Sequence, residues 1–189
     1  MAAISRTVQW TIDDFDVYHA PCEYVEPHVS VDGDAATVRY AVQDQDQREF
    51  DFVDGVKLFQ ADHRYVSPHE EAEVQAMDHV FLIERYEHGL VSYSLVADEK
   101  PYPDRQWDVA TPVGIIGLSD DFDEPRKAAA SWLEEYTAWA NGEVYGVVEE
   151  TYTKDADGEW HRDAYEPWDV TTWGVIGSEW AEQLVNDGL

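Results

Sequence analysis

Against 12 Lys and Arg, the 189-residue chain carries 41 Asp and Glu. Paired acids can move protons or hold a divalent cation. At this density almost any spacing of carboxylates arises by chance, so only a complete ligand set carries weight. Asp155-Ala156-Asp157-Gly158 opens like a calcium loop, which needs a third oxygen ligand before the glycine and a glutamate six residues after it. Ala164 stands at that last position, so a hairpin turn is the expectation. His63 and His69, beside Asp62 and Glu70, are not at the three- or four-residue step of a helical ligand pair. Motifs for a serine nucleophile elbow, a phosphate-cradling loop or a dinucleotide fingerprint are absent, and Gly114 and Gly117 enclose only Ile115 and Ile116. Cys22 has no base beside it and reads as inert. The chain is therefore expected to be no enzyme, with no catalytic residue, metal or cofactor.

What remains is the charge, formally -29. Residues 1–60, 61–123 and 124–189 each contain four basic side chains and at least twelve acids, so the excess belongs to the whole fold. Such a chain repels nucleic acid and anionic membrane, and attracts basic surfaces. Duplex DNA carries one charge per about 1.7 Å of axis, so this excess equals that of roughly 50 Å of duplex. A globule of this length is about 40 Å across, from a radius of gyration near 16 Å. The expected partner is a basic nucleic-acid-binding host protein, and the expected role a DNA mimic of the anti-restriction or anti-defence class. The competing expectations are a halophile-adapted surface and a virion-associated acidic structural protein. A single cysteine, no signal-type apolar run and no membrane-length segment predict a cytoplasmic protein of the host cell.

The carboxylates must be positioned by a scaffold, and 44% hydrophobic residues with eight Trp suffice for a core. Ala129, Trp132, Leu133, Tyr136 and Ala140, widened by Trp139, fall on one face of a helix predicted over 124–140, which Asn141-Gly142 stops. From Glu26 to Phe59 the period is two, with Asp32-Gly33 and Asp54-Gly55 turns, which predicts an antiparallel meander of about four strands including Phe50 and Phe52. Asp13-Asp14-Phe15-Asp16 reads as an acidic loop or helix start. Ser67-Pro68-His69-Glu70 reads as a capping box opening a short helix to about Met77. His88-Gly89 joins a hairpin, and Val113 to Leu118 forms a buried strand. Ser178 caps a last helix with Trp180, Leu184 and Val185 inward.

Trp107-Asp108-Val109 before Gly114-Ile115-Ile116-Gly117 returns as Trp168-Asp169-Val170 before Gly174-Val175-Ile176-Gly177. Hairpin, strand and helix thus recur in the same order, which suggests a duplication with the Trp-Asp-Val segments as structural corners. The fold class predicted is α+β: an antiparallel β-meander followed by two related hairpin–strand–helix units packed as one compact domain. Its segments are 1–60, 61–123 and 124–189. For the partner surface the candidates are Asp13, Asp14 and Asp16; Asp44, Asp46, Glu49 and Asp51; and Asp120, Asp121 and Asp123, each group at the expected end of a strand or helix.

The last third adds a resemblance. Glu135-Tyr136, Asn141-Gly142-Glu143-Val144-Tyr145-Gly146 and then Trp173-Gly174-Val175-Ile176-Gly177 resemble small acidic proteins encoded by actinobacterial phages and plasmids. The match departs at Val175, where those proteins have an aromatic. The resemblance implies a mobile-element origin and no assigned activity.

Overall fold

The computed structural model describes residues 10–45, 49–60, 68–96, 109–163 and 170–188. It is an α+β protein whose strands pair antiparallel throughout the described residues. The chain forms two compact units, residues 1–47 with 143–189, and residues 48–142. Contacts therefore group the N- and C-terminal segments together, with boundaries that differ from the consecutive 1–60, 61–123 and 124–189.

In the first unit, β1 (Trp10–Ile12) and β2 (Phe15–Val17) form a hairpin of their own. The main sheet runs β10 (Trp160–Arg162), β9 (Val144–Lys154), β4 (Ala35–Gln43), β3 (His28–Asp32). β11 (Val170–Ile176) also pairs with β9. Alternation along β4 sends Val38, Tyr40 and Val42 to a core with Val148, Tyr152, Ile12, Phe15 and Val17. Ala41 is buried on the other face, with Val147, Tyr145, Val175 and residues of α3 (Ser178–Asp187). In α3 the buried stripe is Ala181 and Val185, while Trp180, about 100° round the helix, is exposed. The expected inward Trp180 is thus corrected. Ser178 is the first helical residue rather than the cap, a position held by Gly177 at φ 91° without any side-chain cap bond.

In the second unit the sheet order is β5 (Val56–Gln60), β8 (Val109–Leu118), β6 (His79–His88), β7 (Leu90–Leu95). α2 (Pro125–Ala140) buries Ala129 and Leu133 against Val56, Ile83, Ile116 and Leu118. Ala140, expected on that stripe, is exposed. On the opposite face α1 (Pro68–Gln75) covers Phe59 and Ile115 through Val74.

The predicted four-strand meander is overturned. Of the segments between Glu26 and Phe59, only β3 and β4 belong to the first unit's sheet, and β5 pairs with β8 in the second unit. Phe50 and Phe52 lie outside any strand, because rings on α2 offer them a better site: Phe50 meets Tyr136 at 5.3 Å and Trp139 at 5.8 Å, and Phe52 meets Trp132 at 5.9 Å.

Polar side chains of α2 and of its C-cap, Asn141, close the edge of β7. Asn141 accepts from the Val91 N–H at 2.9 Å and donates to the Val91 carbonyl at 2.8 Å. One turn earlier, Thr137 Oγ1 accepts from the Tyr93 N–H at 2.9 Å. One helix side chain and the C-cap side chain thus stand in for a further strand, and a strand edge open to association is occupied. The Asn141→Ala variant leaves both Val91 groups without these partners and is expected to lose about 1–3 kcal/mol, read as a lower urea midpoint.

Hairpin, strand and helix follow one another as β6–β7, β8, α2 and as β9–β10, β11, α3, and each time the third strand pairs with the hairpin's first. Trp107-Asp108 and Trp168-Asp169 lie outside the described residues.

Candidate functional site

Three hairpin turns of the first unit meet at one end of its sheet. Ile12 pairs with Phe15 across Asp13-Asp14, with Asp13 at φ 51°, a left-handed conformation that Asp tolerates better than most residues. The expected loop or helix start is therefore a tight strand turn, because Phe15 and Val17 alternate into the core and hold the segment extended. Asp32 pairs with Ala35 across Gly33-Asp34. Lys154, donating its N–H to the Asp34 carbonyl at 2.8 Å, sets that turn beside the β9–β10 turn.

The β9–β10 turn shows why Asp155-Ala156-Asp157-Gly158 folds as a hairpin rather than a calcium loop. Asp155 Oδ1 accepts from the N–H groups of Asp157 at 2.8 Å and Glu159 at 3.0 Å, while Oδ2 lies 2.7 Å from His161 Nε2. Both oxygens are spent within the turn. The Glu159 amide above all, then the His161 ring, hold the Asp155 carboxyl below its usual range.

Under the hairpins lies Glu150, whose side chain is fully buried. Its Oε1 accepts from the Tyr18 N–H at 3.0 Å and the Tyr40 hydroxyl at 2.6 Å. Its Oε2 lies 2.6 Å from the Tyr152 hydroxyl and 3.3 Å from Arg162 Nη1. Four donors saturate the carboxylate. Glu150 is in phase with Val148 and Tyr152, so alternation sends all three to the same core. That phase was the available signal in Glu149-Glu150, two adjacent acids of which only one points outward.

Between the β1–β2 and β9–β10 hairpins is a cavity of about 640 Å³ lined by Asp14, Asp16, Tyr152, Lys154 and residues of the β9–β10 turn and of β10. Its cations are already engaged: Lys154 Nζ lies 5.0 Å above the Trp160 ring, and Arg162 reaches Glu150 and lies 5.4 Å above the Tyr18 ring. Among the described residues, Asp14 and Glu159 make no side-chain hydrogen bond or ion pair, and the Asp16 carboxylate accepts only from Thr11 at 3.4 Å, while its carbonyl accepts from the Tyr152 hydroxyl at 3.0 Å. Phe15 packs on the Trp160 ring at 5.2 Å, so with Lys154 that indole is no open stacking platform.

Of the acids singled out by sequence, Asp13, Asp14 and Asp16 stand exposed at this end. Asp32, Asp34, Asp155, Asp157 and Glu159, all exposed, join them. Asp44, half-buried, also belongs to the first unit, where its N–H donates to the Val144 carbonyl at 2.9 Å. Glu49 and Asp51 are exposed in the second unit, and Asp46 lies outside the described residues. Asp120, Asp121 and Asp123 are exposed before α2 in the second unit. There Asp120 lies 3.3 Å from His79 Nε2, and Asp121 accepts from Ser119 Oγ at 3.1 Å. Among the described residues, no group of three His, Cys, Asp or Glu side chains is placed to hold a metal ion. His63, with Asp62, lies outside them.

Compared with protein-family models, curated proteins and solved structures, the chain matches none. No described helix is long and apolar enough to cross a membrane.

Burial also fixes a titration signature. Desolvation first, with the Glu150 carboxylate next, pushes the Tyr152 hydroxyl well above its ordinary value. Desolvation likewise raises Tyr145 to about 12 and raises Tyr136. A tyrosine whose folded value exceeds its unfolded value contributes stability that is fully present below about pH 10 and is lost as pH rises through the folded value. In a titration followed by phenolate absorbance, these three tyrosines are expected to lag the exposed ones, and stability should fall from pH 10 upward.

Proposed function

We propose that the chain is a non-catalytic acidic binding protein, a DNA mimic of phage or mobile-element type that occupies the nucleic-acid groove of a basic host protein and blocks it. The observation that supports this reading is the gathering of eight exposed carboxylates at one end of the first unit: Asp13, Asp14, Asp16, Asp32, Asp34, Asp155, Asp157 and Glu159. Eight charges match roughly 14 Å of duplex axis. The turns that carry them grow from strands anchored on the saturated Glu150, so the pattern is preorganised and loses little freedom on binding.

Surface acids also keep a protein hydrated in concentrated salt, and the exposed Glu49, Asp51 and Asp120 to Asp123 group of the second unit fits that reading equally. The two are separated by one set of experiments. The immobilised chain, folded in dilute buffer, should retain basic proteins from a host lysate, and duplex DNA should elute them. The variant D13N/D14N/D157N should retain less. Retention indifferent to DNA, or a chain that folds only in molar salt, would overturn the mimic reading.

A further inference from the structure

We propose that the cavity between the β1–β2 and β9–β10 hairpins is a socket for one arginine side chain presented by the basic partner. This inference rests on the mimic reading and gives it a point of insertion. The cavity's volume is about 640 Å³, and its floor includes Tyr152, 2% exposed and held by Glu150. Arg162, tied to the same carboxylate, fixes the adjacent wall. A recess built on a buried network keeps its shape when empty.

Charge then selects the occupant. Arg162 faces the paired Glu150, and Lys154 sits over an indole. Asp14 and Glu159, from opposite sides of the cavity, have no side-chain partner among the described residues, and Asp16 has one weak one. The unmet demand is for N–H donors carrying positive charge. These acceptors come from two different hairpins, so a planar fork with five donors can reach several at once, where an ammonium acts as a compact point charge. A polar recess recognising guanidinium would give the partner contact a fixed register, which surface charge alone does not supply.

The test uses the full chain and three capped peptides, Gly-Arg-Gly, Gly-Lys-Gly and Gly-citrulline-Gly, followed by NMR on the Trp160 indole N–H and the His161 ring. The arginine peptide should shift both signals saturably, several-fold more tightly than the lysine peptide, with no saturation by citrulline. Asp14→Asn with Glu159→Gln should weaken it at least tenfold, whereas D120N/D121N should leave it unchanged. Lys154→Gln should tighten it by removing the competing charge. Non-saturating shifts, or binding indifferent to the Asp14 and Glu159 changes, would overturn the socket. DNA-sensitive capture that persists in D14N/E159Q also overturns the socket while the mimic reading stands. Selective peptide binding by a chain that captures nothing displaceable by DNA would sustain the socket and end the mimic reading.

Discussion

Glu150→Ala is expected to destabilise the protein by about 3–5 kcal/mol, with a correspondingly lower midpoint in urea. The carboxylate has no exposed surface and receives four donors, from Tyr18, Tyr40, Tyr152 and Arg162. Removing it takes the shortest acceptor from two phenols in a core built from Val38, Val148 and Phe15, with the Asp16 carbonyl at 3.0 Å still open to Tyr152, and deletes the carboxylate that the half-buried Arg162 reaches. Unmade hydrogen bonds to buried groups cost more than made ones gain, so the loss should exceed that of deleting an ordinary buried side chain of similar size. Glu150→Gln is the informative companion. It keeps the shape and two acceptor sites on one oxygen, yet places an amide donor against a donor on the other side. Its loss should fall between wild type and alanine. A Glu150→Ala protein with unchanged stability would mean that the network contributes nothing to the first unit.

How much of this could be read along the chain follows from the range over which residues act. The helix over 125–140 was legible because Ala129 and Leu133 lie on one stripe, and its packing needs no distant information. The turns at Asp32-Gly33 and His88-Gly89 were legible because tight turns demand particular residues locally. Sheet membership was not, since β4 pairs with β9 from Ala35 against Thr153 to Gln43 against Tyr145, far apart in sequence. Period two says that a strand has two faces, never which strand lies beside it. That is why β5 was placed in the wrong sheet, and why Ala41, out of phase with Val38, Tyr40 and Val42, is nevertheless buried with Ala181 and Val185 of α3. The candidate site divides the same way. Asp13, Asp14 and Asp16 could be named from a local run, but Asp32, Asp34, Asp155, Asp157 and Glu159 join them only once three turns share an end. Glu150 was readable from its phase with Val148 and Tyr152, although abundant acids made one more Glu look like surface.

Salt is expected to weaken the proposed complex by about a hundredfold or more between 50 and 200 mM, short of the roughly 10³ to 10⁵ lost by duplex DNA at about 6–10 phosphate contacts. The shortfall has a physical source. Duplex DNA condenses counter-ions along a line of charge and releases them on binding, whereas eight carboxylates on a compact end of sheet condense fewer. On the proposed reading, fixed geometry must recover what is lacking in counter-ion release, and Glu150 beneath the turns supplies that rigidity. The same basic partner, titrated with duplex and with the chain, should therefore give two lines of log affinity against log salt, the chain's being shallower. Neutralising Asp13, Asp14 and Asp157 should flatten it further, while neutralising the Asp120, Asp121 and Asp123 group should change it less. A slope near zero would mean that charge does not drive association. Equal loss from both sets of substitutions would mean that the partner reads total charge rather than the end of the first unit.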